Sequence, residues 1–160
     1  MQHRKATLVV IEFGASWPRW LHPGESGDLA VVAQHYEGPP NSLVTQVASR
    51  VSRLTSKGWQ LEGMVLVSNG RTDPEAVASR SVVARGLMAH LRAGGGVHFT
   101  LSVSDQHGRR AAHALTTLAG ALDPMAYACG VELAIRLGEK PPLYSRPPSA
   151  LRCLPSVEGT

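Results

Sequence analysis

Apolar positions come along the chain in two rhythms. Continuous runs rich in branched residues occur at Ala6 to Phe13, Asp28 to Tyr36, Gln60 to Ser68, His98 to Ser104 and Val131 to Leu137. Runs of that kind mark strands buried on both faces. Between them the spacing changes to three and four. Leu43, Val47, Val51 and Leu54 share one helical face, as do Val77, Ala84, Leu87, Met88 and Leu91, and later Leu115, Leu118 and Leu122. Strands alternating with helices predict a parallel sheet with right-handed crossovers and helices on both faces. The fold class read from this pattern is a single three-layer α/β/α domain. Its sheet is mostly parallel, five-stranded and doubly wound, with the topology of nucleotide-binding folds.

The boundaries follow from local chemistry. Asn41 or Ser42 is placed to cap the first helix, because a short side-chain oxygen accepts from the free N–H groups of the first turn. Gly58 suits the left-handed position past its end. Thr72-Asp73-Pro74-Glu75 is the clearest helix start, with a cap, a proline that loses no needed donor, and an acid at the positive end. That helix is expected to run to about Ala93, where three glycines stop it. Asp123-Pro124 is expected to break the third long helix, leaving a short helical piece to Gly130. Residues 17 to 27, WPRWLHPGESG, read as a loop in which Trp17 and Trp20 fold back as a hydrophobic lid, or else contact a ligand or partner. From residue 139 on, five prolines predict an extended tail. The domain is thus 1–138 and the tail 139–160.

Composition narrows the function classes. Of 160 residues, 43% are hydrophobic and 18% charged, which suits a chain with one real core. The net charge is +4, carried mostly by scattered arginines. No basic patch interleaved with aromatics is present, so nucleic acid is not an expected partner. Cys129 and Cys153 have no partner at metal spacing. The apolar start is interrupted by Glu12 and reads as a strand rather than a signal peptide. No apolar stretch approaches the length of a membrane span. A cytoplasmic protein is the expectation.

The order β, β, α, β, α, β, α, β resembles the universal stress protein family over residues 6 to 138. LVVIEFGAS sits where that family has a first strand ending in an Asp-Gly-Ser-like turn. LAVVAQHYEGPP is similar to its second strand, and VASRVSRLTSKGWQLEGMVLVSNGRTDPEAVASRSV to its helix, third strand and Asp-Pro-initiated helix. VHFTLSVSDQHGRR resembles the strand and glycine loop that hold ATP in nucleotide-binding members, and GVELAIRLG the last strand. The resemblance implies a stress-type regulatory module with ATP or another nucleotide as ligand. The chain departs from the pattern at several points: Asp105 stands where the first loop glycine belongs, and Gly120 is followed by Ala121. The first helix is reduced to the Trp/Pro loop. It resembles a degenerate member.

In a doubly wound sheet the ligand crevice lies beyond the carboxyl ends of the strands, where strand order reverses. That places Gly14 and Ser16 opposite Ser104, His107, Gly108, Arg109 and Arg110. The glycine permits close approach, the helix start offers free N–H groups to an anion, and the arginines add charge. Asp105 opposes them. The loop Ser68 to Asp73 is a second candidate, with Arg71 unexplained by turn chemistry. No catalytic constellation emerges. Glu12 alone cannot hold two metals, and none of the histidines at 3, 22, 35, 90, 98, 107 and 113 pairs at ligand spacing. The functional expectation is a non-catalytic regulatory module binding a nucleotide or other anion at 104–110. The alternative is an interaction protein without a small-molecule ligand, a homodimer formed through the strand Val131–Leu137, with the tail as a further docking segment for a protein partner.

Overall fold

The computed structural model describes residues 4–12, 15–21, 24–26, 29–36, 39–91 and 97–146. Five strands run parallel: β1 (Arg4–Glu12), β3 (Leu29–Tyr36), β4 (Trp59–Ser68), β5 (His98–Val103) and β6 (Glu132–Leu137). Two short antiparallel strands, β2 (Gly24–Ser26) and β7 (Pro142–Arg146), close the edges and give the order β2-β3-β1-β4-β5-β6-β7. The layered α/β domain with a mostly parallel sheet is therefore the fold the alternation predicts. The chain leaves β1 for β3 on one side and returns to β4 on the other. The order reverses between β1 and β4, which is the switch point of a doubly wound sheet.

The layers are unequal. Helices α1 (Pro40–Ser56), α2 (Pro74–Met88) and α3 (Gly108–Cys129) all pack on one face. They share one core with alternate strand residues: Leu8 and Val10, Met64 and Leu66, Phe99 and Leu101, Leu133 and Ile135. Each such side chain, fully withdrawn from water, contributes roughly 1.5–3 kcal/mol. Among the described residues the opposite layer is the segment 15–21. Ala15, Trp17, Trp20 and Leu21 lie on Val9, Ile11, Val65 and Val67. Trp17 Nε1 donates to the Leu21 carbonyl at 2.7 Å, and the Arg136 guanidinium sits 4.3 Å from the centre of the Trp20 ring. The tryptophans do fold back as a hydrophobic lid.

Three local expectations change. Helix α1 starts at Pro40, one residue before the proposed caps, with Pro39 as N-cap and no side-chain cap. Proline at the first helical position needs no donor, and Asn41 and Ser42 fall inside the helix rather than at its N-cap. Helix α3 runs unbroken through Pro124. Losing that N–H costs about 3 kcal/mol in a helix interior, yet both Gly120 and Pro124 are exposed, so water can serve the unpaired Gly120 carbonyl. The buried row Leu118, Ala119, Leu122, Ala126 and Cys129 continues across the break and holds the helix down. Lastly, residues 142–146 of the expected tail are strand β7, held by Arg146 on Asp123 at 2.7 Å and stacked on Tyr127. Strand β6, proposed as a dimer edge, is paired on both sides.

Candidate functional site

Among the described residues, two cavities open at the carboxyl ends of the strands, one on each side of the turn that follows β5. The larger, about 820 Å³, is a broad groove on the helix side. It is lined by Arg71, Thr72 and Asp73 ahead of α2, and by His107, Arg109, Arg110, His113 and Ala114 at the start of α3. The two loops that the sequence offers as separate candidates thus line one groove. Strand pairing brings them together, because Ser68 of β4 lies beside Val103 of β5, and Ser104 N donates to the Ser68 carbonyl at 3.3 Å. Gly70 makes the final approach possible. A Cβ there would lie 2.8 Å from the Ser104 carbonyl oxygen and 3.2 Å from the His107 ring.

The loop at 69–71 is fastened from below by Arg80. This arginine of α2 is only 2% exposed. Its Nη2 donates to the carbonyls of Asn69 and Arg71, both at 3.1 Å. Burial lowers its hold on the proton, and the Glu12 and Asp73 carboxylates oppose that shift. A buried guanidinium is costly unless its donors are used. Here two backbone carbonyls use it, and its Nε meets no acceptor among the described residues.

The two helix starts that meet in the groove differ in charge. At α2, Asp73 accepts from Ala76 N at 3.2 Å, and Glu75 adds an acid in the first turn. Arg71 donates to both Asp73 oxygens at 3.0 Å, and this bond pulls the Asp73 carboxyl below its usual range. That helix end is electrostatically complete. Helix α3 begins with His107 as an N-cap that makes no side-chain cap bond, and no acid stands in its first turn. Arg109 and Arg110 stand there instead, both exposed and without an ion pair among the described residues. Two cations at the positive end of a helix are unfavourable.

The smaller cavity, about 210 Å³, lies on the opposite side, beneath the tryptophan segment. Ser16, Trp17, Pro18 and Arg19 form its roof, with Ser102, Ser104, Asp105, Gly138 and Glu139 among the residues below. The expected site residues therefore divide. His107, Arg109 and Arg110 line the groove; Ser16 and Ser104 line the pocket. Gly108 opens α3 at a φ of 53° and lines neither. Gly14 lies outside the described residues. Asp105, expected to repel an anion beside the arginines, lines the pocket and not the groove.

Sequence reasoning left Arg80 unnoticed. An arginine inside an otherwise apolar helical stripe, Val77, Ala84, Leu87, is the signal that marked it. Among the described residues no group of three or more His, Cys, Asp or Glu side chains is placed to hold a metal ion, and no helix is long and apolar enough to cross a membrane. Neither a protein-family model, nor a curated protein, nor a solved structure matches the chain.

Proposed function

We propose that the protein is a non-catalytic binding module whose groove between α2 and α3 takes a phosphate-bearing ligand, a nucleotide or a comparable anion. The observation that carries this reading is the start of α3. Its first-turn N–H groups have no capping side chain, and Arg109 and Arg110 stand where a helix favours acids. A bound anion satisfies both: it accepts from the free N–H groups and neutralises the paired guanidinium charge. Arg71 faces the same space with its backbone fixed by Arg80. A volume of 820 Å³ is within the range that holds nucleotide-sized ligands. The resemblance to the universal stress family implies a ligand of this class, and a regulatory role is the corresponding use of such a site.

Thermal shift of the full chain with pyrophosphate, AMP and ATP tests the reading. A ligand present at one hundred times its dissociation constant stabilises the native state by about 2.7 kcal/mol. The expected outcome is a rise in melting temperature that the double change Arg109→Ala and Arg110→Ala removes. An unchanged melting temperature with all three anions defeats the proposal.

A further inference from the structure

We infer that the pocket under the tryptophan segment is a second ligand site, for a small organic cation: a flat apolar body bearing an ammonium group. Its size sets the first limit. At about 210 Å³ it lies below the roughly 300–1,000 Å³ of drug-sized sites, so it admits a fragment and excludes a nucleotide.

Its lining sets the chemistry. Trp17, Val67 and Val103 offer apolar surface, and a tryptophan face attracts a cation. The charged members are Asp105, Glu139 and Arg19. Arg19 sits 3.7 Å from Glu139, both largely in water, so that pair is weak. Asp105 has no ion pair among the described residues. The pocket thus keeps an uncompensated carboxylate. Its second polar feature is Ser104, whose Oγ is buried and meets no partner among the described residues.

The placement of Asp105 depends on a neighbour. Gly138, at a φ of 61°, lies directly under it: a Cβ there would stand 3.2 Å from Asp105 Cγ and Oδ2. A side chain there would push the carboxylate back by a few tenths of an ångström, and the positive φ itself favours glycine. Arg136, also on this face of the sheet, is engaged over Trp20 and does not line the pocket. An amine seated here donates to Asp105 and lays its apolar part along Trp17.

Calorimetric titration of the full chain with phenethylamine, phenethyl alcohol and hydrocinnamate tests this. These probes share one body and differ in charge. The amine is expected to saturate, the alcohol to bind about tenfold more weakly and the carboxylate not to bind. Asp105→Asn, an exposed turn position, is expected to weaken the amine about tenfold. Gly138→Ala is a second, independent variant expected to weaken it by crowding Asp105. The Arg109→Ala, Arg110→Ala protein keeps full amine affinity, so failure of the groove proposal leaves this one standing. Carboxylate binding as tight as the amine, no saturation by the amine, or unchanged affinity in Asp105→Asn overturns the inference.

Discussion

The groove and the pocket lie within one turn of each other, yet they are built on opposite principles. The groove is broad, open and basic, with walls that are the starts of two helices. The pocket is small, acid- and serine-lined, and roofed by an irregular segment. Both exist because residues 104–107 cross from one face of the sheet to the other at the end of β5. The difference shows how a parallel sheet sorts charge. Helix starts bring N–H groups and tolerate an anion, whereas the face under the tryptophan segment offers carboxylates and hydroxyls beside aromatic rings.

Each cavity has its own support, and breaking one should spare the other. The largest effect is expected for Trp20→Ala. The ring covers β1 and β4 and stacks on Arg136, and truncating a packed tryptophan costs about 3 kcal/mol. Chemical denaturation should show that loss, with amine binding gone and pyrophosphate binding kept. Arg80→Met comes next. It leaves the Asn69 and Arg71 carbonyls without their donor, for a loss of about 2 kcal/mol. Amide exchange should quicken at residues 69–72, and pyrophosphate should bind more weakly, while the pocket is unaffected.

Smaller effects follow from titration. The folded-state pKa of Asp73 is lowered, first by its bond to Arg71, so its contribution is present above the unfolded value of 3.8 and is lost as pH falls through the folded value. Acid should therefore fray α2 before the sheet melts, seen as early exchange at Ala76 and Val77. Tyr144 behaves in the opposite sense. Burial, then its bond to Asp123, raises its pKa above 10.0. Stability from that protonated phenol is present below pH 10.0 and lost as pH rises through the folded value, loosening β7 and neither cavity.

The sequence made the strands and helix faces legible because burial on both sides of the sheet gives strands continuous apolar runs, while helices keep a period of 3.6. The five parallel strands are where the branched runs placed them, and Asp73 caps α2 as its Asp-Pro phrase implied. Two kinds of feature were not legible. Short edge strands such as β7, PLYSR, carry no alternation strong enough to stand out from prolines. Pro124 looks like a stop because propensity is local, whereas the apolar row that carries the helix past it lies on both sides. At the site, Arg109 and Arg110 were legible as residues but not as neighbours of Arg71. That meeting depends on the β4–β5 register and on Gly70 approaching Ser104, which is a long-range fact.

On the proposed reading, α3 begins as an anion site. Isothermal titration of pyrophosphate into the wild type and into the Arg109→Ala, Arg110→Ala protein measures it directly. The expected result is saturable binding to the wild type, weakening as salt rises, and none to the variant at an unchanged melting temperature without ligand. Equal binding to both proteins, or none to the wild type, would contradict it.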